Sequence, residues 1–258
     1  MENIKTRNFK IFEVTKEFLK ANDKEMIKGS LLLASIYTII FSISIFSTFI
    51  RLGFISFLLS FTAPIANIFV VIYLGASIKI IAANWYFNNH KINLKDAYNS
   101  LDGKKMIILI SDLIKCIKIM LWSCLLVIPG YYHLFAYIFN QDFILFGNKE
   151  ASDSIKLSKE NSKGHLLELF IFVIITALIL VIPILFINII NILLLKMKLI
   201  ILLPIVLFAI SFISLMSFVF INAGVTMKFI EVCKEKNINI KIGNKNLLDE
   251  DYKNGQIN

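Results

Sequence analysis

Charge is scarce in this chain. Of its residues 17% are charged and 57% hydrophobic, and the mean hydropathy is +0.75, whereas a soluble domain carries about 25% charged and about 45–50% apolar residues. Between Lys28 and Lys79 the one formal charge is Arg51, and between Glu168 and Lys196 there is none. About 20 consecutive apolar residues let a helix cross the roughly 30 Å hydrocarbon core, so runs of this kind exclude an ordinary water-soluble globule. Cysteine is scarce too. Cys116, Cys124 and Cys233 form neither an even framework nor a CxxC pair, so no disulfide and no metal site are expected. Cys116 and Cys124 stand in an apolar run, where a free thiol behaves as a small hydrophobe.

The motifs of catalysis are missing as well. There is no GxSxG, no HExxH and no glycine-rich phosphate loop. Of the three histidines, His90 falls in an inner connection, His133 is expected near the outer end of a fourth membrane helix, and His165 at the inner boundary of a fifth. That spacing forbids a histidine–metal cluster. Asp112, Asp142 and Glu168 could gather near the inner face, but lysines between them suit ion pairing better than hydrolysis. No catalytic residue, no cofactor and no enzymatic role are expected.

What is present is a set of apolar runs separated by turn signals. They place membrane helices near residues 29–50, 57–78, 110–129, 131–148, 166–188 and 200–226. The expected fold is all-α, a polytopic bundle of six transmembrane helices. The charged start does not read as a secretory signal peptide, so Gly29–Ile50 is expected to stay as the first crossing. The net charge of +9 has an explanation that needs no nucleic acid. Lysine and arginine collect in residues 1–28, 79–105 and 149–163 and from Lys228 onward, while the other side holds Arg51, Lys196 and Lys198. Excess Lys/Arg marks cytoplasmic loops, which puts both termini inside and requires an even number of crossings. The organisation is then a cytoplasmic amphipathic segment over 1–28, a membrane domain over 29–226 and a cytoplasmic tail over 227–258.

Two flanking segments leave alternatives open. Phe9, Phe12 and Leu19 share one side of the first segment, which fits a helix lying on the inner leaflet or one packed on the bundle. Residues 153–163 read as a short cytoplasmic helix capped by Ser152 or Asp153 and ended by Gly164, its lysines either solvated or facing phosphate headgroups. The end of the chain, NLLDEDYKNGQIN, is polar and expected to fray.

The stretch SDLIKCIKIMLWSCLLVIPG, residues 111–130, carries Asp112, Lys115 and Lys118 within about 120° of one helical face. If that helix ends at Pro129-Gly130, Lys118 and Asp142 lie at equal depth in an antiparallel hairpin. A buried Lys118–Asp142 pair is expected there, with Asn140 and Gln141 beside it and Asp112–Lys115 as a neighbouring (i, i+3) pair. These pairs either lock the hairpin or line a polar cavity open to the cytoplasm. The candidate lipid- or anion-binding residues are Lys79, Lys115, Lys118, Lys156, Lys159 and Lys163.

The run LWSCLLVIPGYYHLFAYIF followed by SIKLSKENSKGHLLELF resembles the bacterial YciC-like six-helix membrane proteins, which are similar to the membrane domain of some glycerophosphodiester phosphodiesterases. The matching elements are Ile128-Pro129-Gly130, Tyr137, Ser158 and Lys163-Gly164-His165 leading into Phe170. The resemblance implies a six-helix fold in a bacterial cell membrane and no particular reaction. The expected function is a non-enzymatic, multi-pass membrane protein that binds inner-leaflet phospholipid or a membrane protein or peptide partner, in envelope maintenance or self-protection. The alternative is a transporter of a lipid or small anionic solute through a cytoplasm-facing polar cavity.

Overall fold

The computed structural model describes residues 4–49, 53–125, 127–196, 202–243 and 245–247. It is built of helices α1 (Ile4–Ala21), α2 (Asp23–Phe49), α3 (Gly53–Asn88), α4 (Leu94–Asn99), α5 (Lys105–Leu125), α6 (Val127–Ala136), α7 (Asn140–Gly147), α8 (Ala151–Ser162), α9 (Leu166–Lys196) and α10 (Leu203–Glu235). A two-residue antiparallel pair, β1 (Lys241–Ile242) with β2 (Lys245–Asn246), follows α10. The all-α class is as expected. Among the described residues two helical stretches are long and apolar enough to cross a membrane, Ile68–Asn88 and Pro204–Glu235. Helix α8 and Leu166–Ile179 are apolar enough only as a pair bent by 95°, the shape of a broken span or a re-entrant loop. These stretches mark a membrane protein.

Helix α10 is the hub, with α1, α2, α3 and α9 packed around it. It meets α9 at Gly224, where a Cβ would run into the Phe172 ring. Proline does not interrupt the long helices. Pro204 sits in the first turn of α10, where its missing N–H would find no intrahelical partner anyway. Pro64 and Pro183 lie inside continuous α3 and α9.

Helix α1 packs on the bundle. Phe18 is buried against Trp85, Phe12 meets Phe220, and Thr15 is buried beside Met227. Lys10, Glu13, Lys16 and Glu17 face outward. The described apolar face of α1 is thus spent on α10 and its neighbours. Phe9's side chain lies outside the described set.

The expected boundary at residue 227 is not a structural one, since α10 runs on to Glu235 with Lys228, Phe229 and Ile230 buried. Beyond it Ile240, Ile242 and Leu247 are buried in the main core, and Asn88 Nδ2 donates to the Ile242 carbonyl at 3.2 Å. The segment is a clasp under the bundle as far as Leu247. The remainder of the tail expected to fray lies outside the described residues.

The region expected to form two crossings, 110–129 and 131–148, differs most from expectation. Helix α5 ends at Leu125 and α6 begins at Val127, so Pro129 stands in the first turn of α6 instead of ending α5. A helix tolerates proline there because the first N–H groups lack intrahelical partners. Helix α6 has only 10 residues and gives way to a turn at 137–139 before α7.

Candidate functional site

The register of the α5–α6–α7 hairpin sets the site. Gly130 lies against Ser123, where a Cβ would come within 3.0 Å of the Ser123 Cα. Trp122 stacks on His133 at 4.8 Å, Lys118 Nζ stands 5.8 Å from the Tyr137 ring, and Lys115 reaches Asn140. These contacts centre the reversal near residues 127 and 128 and place Lys118 opposite Tyr137. The expected Lys118–Asp142 pair is not formed. Lys118 is exposed, and Asp142, fully buried, pairs instead with Lys79 of α3 and accepts a 2.7 Å hydrogen bond from Thr226 Oγ1 of α10. The cause is the position of Pro129, since the chain reverses before that residue and Lys118 then faces Tyr137, five residues short of Asp142.

Asp112 and Lys115 form the (i, i+3) pair at 2.6 Å. Asn140 Nδ2 donates to Asp112 Oδ1 and to Ser111 Oγ, each at 3.1 Å, and Gln141 Nε2 donates to Asp112 Oδ2. A cavity of about 540 Å³ opens above these groups. Its lining runs along α3 from Ile68 and Ile72 to Lys79 and along α5 from Ile119 to Lys115 and Asp112, with Asn140 and Gln141 beside the charged groups and Phe218 of α10 against Gly75. Lys79 is 4% exposed and held by Asp142, so it is no part of a solvated basic rim, whereas Lys115, 24% exposed, is the accessible cation of the cavity.

Lys156, Lys159 and Lys163 do not reach this cavity. They are exposed on or just after α8, whose opposite face carries Ser154, Ser158 and Ser162, all buried. These serines repair the break between α6 and α7. Ser158 and Ser162 donate to the Ala136 carbonyl at 3.0 and 3.1 Å, and the Phe139 N–H donates to Ser158 Oγ at 3.0 Å. Ser154 Oγ meets Ser111 Oγ at 3.1 Å. The i, i+4, i+8 spacing of those serines was the sequence signal for this role. The N-cap of α8 is Glu150, without a side-chain cap, in place of the expected Ser152 or Asp153. Gly164, at φ +91, turns the chain into α9 in a backbone region that glycine adopts without strain.

A second charged cluster, partly buried, lies where the start of α9 meets the end of α10. Lys228 Nζ stands 2.8 Å from Glu168 and 2.9 Å from Glu231, and His165 lies between Glu168 at 3.5 Å and Glu235 at 3.3 Å. Its members are tied to one another. His133 is not the expected membrane's width away from His165. Ala136, three residues on from His133, accepts from Ser162, three residues before His165. Outside the helices, Lys104 donates to the Leu145 carbonyl at 2.7 Å, and burial holds its ammonium below the ordinary lysine value.

Among the described residues no group of three or more His, Cys, Asp or Glu side chains is arranged to hold a metal ion. Cys116 and Cys124 are exposed free thiols on α5, and Cys233 is a buried one on α10. No family model matches this chain, and neither a curated protein nor a solved structure is similar to it.

Proposed function

We propose that the chain is a multi-pass protein of the bacterial cell membrane, with its lysine-rich end in the cytoplasm, that binds one inner-leaflet phospholipid without reacting with it. One observation carries this reading: the cavity is polar and charged at one end and apolar at the other. Lys115 offers a hydrogen-bond donor to a headgroup phosphate, the Asp112 carboxylate stands beside it for a headgroup cation, and Ile68, Ile119 and Phe218 supply walls for an acyl chain. A small polar solute would leave those walls without a partner. A hydrocarbon without a headgroup would leave the Asp112–Lys115 pair facing an apolar neighbour, which is costly.

The test is native mass spectrometry of gently solubilised protein. The parent is expected to retain one phospholipid, Lys115→Ala to lose it, and Lys156→Ala/Lys159→Ala on α8 to keep it. Equal retention by the parent and Lys115→Ala would remove the cavity from the account.

The Lys79–Asp142 pair beneath the cavity favours a second reading, transport of a lipid or small anion. Vesicles containing the protein would then exchange labelled phospholipid between leaflets faster than empty vesicles. Binding alone predicts equal rates.

A further inference from the structure

We infer that the α5–α6 hairpin is a re-entrant wedge. It enters the membrane from the lysine-rich side, lies among inner-leaflet acyl chains and returns without crossing. Three independent features of the fold lead to this, and all rest on the membrane placement proposed above.

The first is length beyond a common level. Asp142 of α7 bonds Lys79 of α3 and Thr226 of α10, and its neighbours Asn140 and Gln141 bond Asp112 of α5. From Lys79, α3 extends back about twenty-six residues to Gly53, and from Thr226, α10 extends back about twenty-two to Pro204. At 1.5 Å per residue these are rises of roughly 39 and 33 Å. From Asp112, α5 has about thirteen residues left before Leu125, or roughly 20 Å. The tip stops roughly 13 Å short of the outer end of α10.

The second is the returning arm. Helix α6 has 10 residues, which rise about 15 Å, half of the roughly 30 Å core.

The third fixes where that arm ends. Ala136, the last residue of α6, is held by Ser158 and Ser162 of α8. Helix α8 turns Lys156, Lys159 and Glu160 outward, and it makes a 95° bend with α9, as a helix lying along the membrane surface would. Each of those charges would cost roughly 2.5–3.5 kcal/mol at the centre of the bilayer, so the foot of α6 belongs at the headgroups.

The surface of the hairpin fits this occupant. Ile117, Met120, Leu121 and Tyr131 are 58, 67, 63 and 60% exposed, a large apolar face of the kind that marks an interaction site. Exposed Lys118, Lys156 and Lys159 surround its base, matching the anionic headgroups of an inner leaflet. Taking two crossings out of the expected six leaves an even number, so both termini stay on one side.

The depth of spin labels in proteoliposomes tests the inference. In a Cys116→Ser/Cys124→Ser background, nitroxides are placed by Tyr131→Cys at the hairpin, Ser214→Cys midway along α10 and Ile205→Cys at the start of α10. Leu121→Cys serves as a second hairpin site should Tyr131→Cys fail to purify as a single species. A re-entrant tip reads as hydrocarbon, with oxygen collisions high and those of a water-soluble nickel chelate low, as at Ser214→Cys. Chelate collisions at the tip equal to those at Ile205→Cys overturn the inference and restore a crossing hairpin. Water exposure at Ser214→Cys would instead overturn the membrane placement itself.

Discussion

At the scale of single residues, the pair that matters most for stability is Lys79–Asp142. Both side chains are almost fully removed from solvent, and Asp142 also accepts from Thr226. Removing one partner leaves the other charge buried and uncompensated, which costs about 3–5 kcal/mol, whereas replacing both with apolar residues is often neutral. Asp142→Ala is therefore expected to lower the thermal midpoint in detergent sharply, and Lys79→Met/Asp142→Leu to recover most of the loss. Equal damage from the single and double variants would contradict this. Gly130→Ala is a smaller test of the hairpin register. Its methyl would meet Ser123 across the α5–α6 contact, and overpacking of this kind costs about 1–3 kcal/mol, read as a shift in the same midpoint. The Asp112–Lys115 pair was legible because it is local, three residues apart on one helix. The partner of Asp142 was not, because Lys79 is 63 positions away and nothing in a linear pattern brings α3 and α7 together.

At the scale of elements, α2, α3, α9 and α10 each contain an apolar run legible from hydropathy, but α3 and α10 run on past the expected ends at 78 and 226 to Asn88 and Glu235. The short elements were not legible in this way. Helix α6 falls inside an expected crossing because Pro129 reads as a stop, although the first turn of a helix accepts proline. The charges of α8 dominate its sequence, yet its buried serine face ties α6 to α7. Ser158 serves both the Ala136 carbonyl and the Phe139 N–H. Ser162 also holds that carbonyl, so Ser158→Val leaves the Phe139 N–H unpaired. At about 1–3 kcal/mol for a buried unsatisfied group, the α6–α7 turn should open. Amide hydrogen exchange near residues 136–142 is expected to quicken in that variant more than exchange in α10. Uniform quickening throughout would point to general destabilisation instead.

At the scale of the whole molecule, the ion pairs gather toward one end of the bundle. Lys79–Asp142, Asp112–Lys115 and Lys228–Glu168 are partly or wholly buried there, with the apolar lengths of α3, α9 and α10 extending away from them. The C-terminal clasp closes the same end by burying Ile240, Ile242 and Leu247. Truncating a buried isoleucine to alanine costs about 2–5 kcal/mol. Ile242→Ala should therefore lower the thermal midpoint even though it lies outside every long helix, and an unchanged midpoint would show that the clasp is dispensable. The lysine bias of the sequence had marked this end as cytoplasmic, but composition could not show that its connections pack into a core, because α1, α8 and the clasp each bury only a few apolar side chains.

The most direct measurement of the central claim is a cryo-electron microscopy map of the protein in phospholipid nanodiscs, with a rigid antibody fragment bound to supply mass. Elongated density should run from a headgroup at Lys115 and Asp112 along Ile119 to Phe218, and it should be missing in Lys115→Ala at the same resolution. A cavity holding only discrete water-sized peaks in the parent would contradict the account.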